Sequence, residues 1–132
     1  MQSNAYIVEC MDGQYVIEVE PEVRDWLDLL PFRLYRRVED KADRLLAEPT
    51  TLGEPYSRHL GGKLRELRLA LDGDAVRIPY WLAPGRRIVL LTVFRKTRMH
   101  ETAEIERAHQ AQKACEAEHG PAQHTFDRVR EA

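Results

Sequence analysis

Between Arg58 and His100 the chain carries 10 Lys and Arg against 3 Asp and Glu, a local balance of +7. Arginine and lysine gathered in one place bind phosphate, arginine through a planar fork of donors and lysine as a point charge. Crowded cations without an anion raise one another's energy and depress each lysine's pKa, so such a cluster calls for an RNA phosphate or an acidic partner peptide. Metal-free cleavage of RNA needs a base for the ribose 2′-OH, cations for the charge building on phosphorus, and an acid for the leaving 5′-oxygen. Lys63, Arg68, Arg77 and Lys96 are the candidates for this catalytic work. Arg98, Tyr80, His100 and Arg65 are the candidate substrate contacts.

The positions of these residues follow from three strand-like runs, Leu64–Leu71, Ala75–Leu82 and Arg87–Arg95. Asp72-Gly73-Asp74 and Ala83-Pro84-Gly85-Arg86 separate them, and short loops of this kind make antiparallel hairpins. Alternation puts Glu66 and Arg68 on one face of the first run and Arg65, Leu67 and Leu69 on the other. Arg68 and Arg77 can then share a face, with Lys63 at the loop edge and Arg95, Lys96 and Arg98 leaving the last strand. Ile88–Phe94 is apolar at nearly every position, as in a strand covered on both faces. Pro79 lacks the N–H that a ladder needs, which predicts a bulge or an unpaired position there.

Before the meander, Tyr15-Val-Ile-Glu-Val-Glu alternates like a half-buried strand. Pro21 then opens a helical pattern with Val23, Trp26, Leu27, Leu30 and Leu34 on one stripe. Pro31 starts a second helix that runs to about Ala47, with Leu34, Val38, Leu45 and Leu46 inward. Residues 48–63, rich in Pro, Gly, Thr and Ser, read as a long loop. Glu101 to about Glu118 is helical, with Ile105, Ala108, Ala111 or Gln112, and Cys115 inward, and Gly120-Pro121 stops it. The order is an N-terminal strand, two helices, a three-stranded antiparallel meander and a C-terminal helix, an α+β arrangement.

At 132 residues with 43% hydrophobic and 32% charged residues, the chain has the size and composition of one globular domain. The acidic flanks, −6 over residues 1–57 and −3 over 101–132, bring the net charge to −2 and hide the basic block. The longest apolar stretch, Ile88–Val93, is far short of a membrane span, and the N-terminus lacks the pattern of a signal peptide, so a cytoplasmic location is expected. Cys10 and Cys115 form no metal or disulfide pattern, and the five histidines show no zinc-hydrolase spacing. Neither GxxxxGK[ST] nor GxGxxG occurs. No metal and no cofactor are expected.

Four strings occur in order: Leu60-Gly-Gly-Lys-Leu-Arg-Glu-Leu-Arg, Val76-Arg-Ile-Pro-Tyr, Ile88-Val-Leu-Leu-Thr-Val-Phe-Arg-Lys-Thr and Glu104-Ile-Glu-Arg-Ala. Together they resemble the RelE/ParE toxin superfamily, and within it the HigB-type, phage-derived branch, over roughly Tyr15 to His119. The sequence departs from the family pattern at Pro79, where an aliphatic residue is usual, at Arg95, where Lys is frequent, and in having no Pro before the Glu-Ile-Glu helix. The resemblance implies a RelE-like fold over residues 15–119, with 1–14 as an N-terminal extension and 120–132 as a C-terminal tail. It implies the toxin of a type II toxin–antitoxin system, a ribosome-dependent, metal-independent mRNA endoribonuclease whose 2′-OH attack leaves a 2′,3′-cyclic phosphate. Its implied partners are the ribosome with its mRNA and a helix-turn-helix, HigA-like antitoxin, through which alone the toxin meets DNA. Lys63, Arg68, Arg77 and Lys96 match the family's functional positions, with Arg98 beside them. The alternative within the superfamily is a non-catalytic, ParE-like inhibitor of a protein such as DNA gyrase.

Overall fold

Val16–Val19 forms β1, and Pro21 then begins α1, Pro21–Leu29, at the first helical position, where a missing N–H costs nothing. A computed structural model describes residues 15–97 and 101–118 of the chain. Pro31 precedes α2, Phe32–Ala47, whose Leu34, Val38, Ala42 and Leu45 recur at helical spacing and are buried, with Leu46 only partly so. The meander comprises β3, Leu64–Leu71, β4, Asp74–Ala83, and β5, Arg87–Leu90, and α3 spans Glu101–Glu118. The N-terminal extension 1–14 and the Gly120-Pro121 stop lie outside the described residues.

The Asp72-Gly73 pair joins β3 to β4 with φ of 51° and 87°, the left-handed pair that a tight hairpin with matching twist requires. β5 pairs antiparallel with β4 and parallel with β1. One face of the sheet packs on α1 and α2 through Ile17, Leu67, Leu69, Ile78, Tyr80, Ile88 and Leu90. The other is partly covered by α3, whose Ala108 and Cys115 meet Leu64, Trp81, Ala83, Val89 and Leu91. Full burial of a side chain such as Ile78 or Leu90 stabilises the fold by about 1.5–3 kcal/mol.

Two boundaries differ from the sequence reading. Within the expected loop 48–63, Ser57–Gly61 forms an edge strand, β2, antiparallel to β3. Only Ser57 in it is buried, so no apolar alternation marks it. The third meander strand, expected as Arg87–Arg95, splits into β5 and β6, Phe94–Arg95. β4 pairs Tyr80 with Leu90 but Arg77 with Phe94, so three residues on one side face two on the other, a bulge of one residue. The interruption lies opposite Pro79, whose carbonyl still accepts the Leu91 N–H at 2.8 Å. The position has no N–H to return, and the ladder breaks where that donor is missing.

Candidate functional site

The register of β3 and β4 sets Arg68 directly opposite Arg77 and Glu66 opposite Pro79, all on the face that α3 only partly covers. The bulge adds Lys96 to them. Had the strand run on from Val89 and Leu91 without interruption, alternation would have turned Arg95 to this face. The extra residue instead brings Phe94 opposite Arg77, and the Lys96 N–H donates to the Ala75 carbonyl at 2.7 Å, which carries the same register one step on. Arg95 turns to the other side and lies 3.9 Å from Asp74.

Beside the two arginines on this face lies an acid. Glu66 is fully buried, and its Oε2 stands 3.7 Å from Arg68 Nε and 3.6 Å from Arg77 Nε. Neither carboxylate oxygen accepts a hydrogen bond, and Arg77 Nε donates none, while Arg77 Nη1 reaches the Val76 carbonyl at 3.2 Å. Burial pushes the Glu66 carboxyl above the usual glutamate range; Arg77, Arg68 and Arg58 pull it back, and Glu101 at the start of α3 adds to the rise. Burial and the like charge of Arg68 lower the Arg77 guanidinium, which nonetheless stays charged at any physiological pH. Buried charges with unused hydrogen-bonding capacity are uncommon and concentrate at functional sites.

Arg68 and Arg77 open into a cleft of about 500 Å³ that is also lined by Lys41, Tyr56 and Asp74. Two guanidinium groups from paired strands, with Lys96 on the same face, suit one tetrahedral anion. Among the described residues no three His, Cys, Asp or Glu side chains gather as a metal site would require.

The other candidates are placed elsewhere. Lys63 sits in the turn between β2 and β3, ion-paired with Glu116 of α3 and 5.9 Å from the Trp81 ring. It adjoins Leu64, four residues or roughly 13 Å of strand from Arg68, and does not join the cluster. Tyr80, expected as a substrate contact, is fully buried toward α1 and α2, with its hydroxyl 2.7 Å from Ser57 Oγ. Arg65 lies on that same opposite face, where alternation must put it relative to Arg68, and its Nη1 reaches the Thr50 carbonyl at 3.4 Å. Arg98 and His100 lie outside the described residues. Glu66 and Arg58, which stand opposite each other on β3 and β2, are the additions; alternation places Glu66 on the Arg68 face, but nothing in the sequence signals its burial.

A family model described as "Phage derived protein Gp49-like" matches residues 25–113. No curated protein matches the chain. Among solved structures, the Escherichia coli toxin RelE in its free state, bearing two arginine-to-alanine replacements, matches with a TM-score of 0.53 at 15% identity. The match covers 76% of this chain and 97% of that one. At that identity the likeness is one of fold, and the α+β arrangement of sheet and helices is that of RelE.

Proposed function

This chain belongs to the phage-derived Gp49-like family, and from that premise we propose that it is the toxin of a toxin–antitoxin pair, cutting mRNA on the ribosome. The observation that carries the reading is the direct pairing of Arg68 with Arg77, with Lys96 turned to the same face. In this mechanism the two guanidinium groups hold the non-bridging oxygens of the scissile phosphate and take up charge as phosphorus becomes five-coordinate. Lys96, turned to the same face as the arginine pair, is the group assigned to accept the ribose 2′-OH proton. The 2′-oxygen bonds to phosphorus, the bond to the 5′-oxygen breaks, and that oxygen takes a proton from water and leaves as a hydroxyl. The products are a 2′,3′-cyclic phosphate and a free 5′-OH.

Arg98 and His100 follow Lys96 closely in sequence and are kept as contacts to the leaving side. Lys63, already held by Glu116, is assigned to tying the hairpin to α3 rather than to the reaction. The weak overall charge favours a toxin that binds free RNA measurably at low salt but poorly at physiological salt, where it relies on the ribosome to present its substrate. The toxin domain is taken as residues 15–119, acting in the cytoplasm without metal or cofactor and held in check by a helix-turn-helix antitoxin.

Primer extension on translating ribosomes tests the reading. Wild-type protein should produce discrete mRNA ends, and Arg68→Ala should lower the cleavage rate by about 10²-fold, the usual effect of removing one transition-state donor. Full activity in Arg68→Ala, or in Arg77→Lys, overturns the role assignment. Pulse labelling in which DNA synthesis stops before protein synthesis overturns the interferase reading in favour of a gyrase-type target.

A further inference from the structure

Arg37, Lys41 and Arg44 occupy positions i, i+4 and i+7 of α2, on one face over roughly 10 Å of helix. Other cations nearby are matched by carboxylates: Arg33 holds Asp72 at 2.8 Å, and Arg36 lies 3.4 Å from Glu39. Arg37, Lys41 and Arg44 have no carboxylate within 4.0 Å among the described residues. Instead the Tyr56 ring gathers two of them, with Arg44 Cζ at 4.1 Å and Lys41 Nζ at 5.0 Å from its centre. This contact holds their heads beside the sheet rather than leaving them free to spread into solvent.

The stripe is continuous with the arginine pair. Lys41 and Tyr56 line the same cleft as Arg68 and Arg77. A second cleft, of about 370 Å³, is lined by Arg37, Lys41 and Arg44 and adjoins the first through Lys41, Leu69 and Ala70. Two acids border this path, Asp74 in the first cleft and Asp40 in the second, against five cations.

We propose that this face of α2 is a track for the RNA sugar–phosphate backbone, with Arg37, Lys41 and Arg44 each meeting a phosphate of the strand that leaves the Arg68–Arg77 cleft. The track rests on the reading of that cleft as a phosphate site, and this continuity favours RNA over an acidic peptide. A strand lying along it keeps its register on the toxin, while the arginine pair takes the phosphate to be cut.

The test measures binding of a short, fluorescently labelled single-stranded RNA by polarisation across a salt series, beginning at low salt. It compares wild type with the combined variant Arg37→Gln, Lys41→Gln and Arg44→Gln, after circular dichroism melts confirm that both are folded. Three phosphate contacts at about 0.7 ions each should make the slope of log affinity against log salt shallower by about 2 in the variant. An unchanged slope, or no measurable binding by wild type at the lowest salt, overturns the track. An unchanged RNA slope with lost antitoxin binding reassigns the face to a protein partner and also overturns it. Wild-type protein that binds RNA with the expected slope but cuts nothing on ribosomes overturns the nuclease reading alone and leaves the track standing.

Discussion

Glu66 Oε2 lies 3.6 Å from Arg77 Nε, close enough for strong attraction yet beyond hydrogen-bonding length, and both side chains are buried. Arg68 reaches the same oxygen at 3.7 Å, so one carboxylate sits between two guanidinium groups that would otherwise repel across the strand pair. Replacing it with a neutral isostere keeps the shape of the side chain but removes the charge that offsets the repulsion between the arginines. Glu66→Gln should therefore lower ribosome-dependent cleavage, and a variant cutting at the wild-type rate would dismiss this role.

The same residue makes a prediction about pH. Burial raises the folded-state pKa of Glu66 above its unfolded value, against the pull of Arg77, Arg68 and Arg58 and with a push from Glu101. The folded protein therefore holds this proton more tightly, and the contribution of Glu66 to stability is greatest below the unfolded value and declines as pH rises through the folded one. Urea denaturation of wild type and Glu66→Gln, from acid to neutral pH, should show wild type losing ground to the variant as pH rises. A gap that widens in favour of wild type would contradict the burial argument.

Tyr80 offers a control on the placement of the site. Its hydroxyl pairs with Ser57 Oγ in the core, and burial raises its pKa. Tyr80→Phe should cost about 1 kcal/mol of stability, the usual net worth of one such hydrogen bond, and leave cleavage unchanged. A tenfold or larger fall in cleavage, with the fold intact, would return Tyr80 to the substrate surface.

Arg107 of α3 grips Glu22 of α1 through two hydrogen bonds, at 2.7 and 3.0 Å, and also holds Glu104 at 2.9 Å. Partial burial works against ionised Glu22, but its bonds from Arg107 and from the Val93 N–H outweigh that and leave its pKa lowered. A lowered carboxylate stabilises the fold above its unfolded pKa and loses that effect as pH falls through the folded value. Glu22→Gln should cost up to about 1 kcal/mol at neutral pH and less at high salt, since the pair is solvent-exposed. The difference from wild type should vanish in acid, as measured by thermal melts.

Cys115 is buried against Trp81 and its neighbours, and burial pushes its thiol up to about 11. At pH 8 it should resist iodoacetamide in the folded protein and react on unfolding in urea, read as mass added to the peptide containing it. Rapid alkylation of the native protein at Cys115 would show that α3 separates readily from the sheet.

The sequence made the meander and helices readable because apolar period and turn chemistry agreed: Asp72-Gly73 marks its hairpin, and Leu34, Val38 and Leu45 mark the face of α2. The arginine pair was readable too, since alternation alone puts Arg68 and Arg77 on paired strands. Burial was harder to read, because it depends on what packs above a residue. Glu66 and Tyr80 look like ordinary strand residues until α3 and the two helices cover them. Lys63 is close in sequence to Arg68, yet strand geometry separates the two and Glu116 pairs with Lys63. The edge strand at Ser57–Gly61 carries almost no apolar pattern, so nothing in composition distinguishes it from a loop.

The single extra residue between Leu90 and Phe94 makes spacing, as much as side-chain identity, a determinant of the site. Deleting one residue from Leu91–Val93 would leave Phe94 opposite Arg77 and Lys96 on the arginine face, whereas inserting one there, with the bulge kept, would carry Arg95 to the place opposite Ala75 that Lys96 now holds. A guanidinium would then stand where the mechanism needs a group able to give up its charge, although no charged residue had been removed. A frame-preserving insertion of one codon would thus silence the site, a loss that a comparison of site residues alone would not detect.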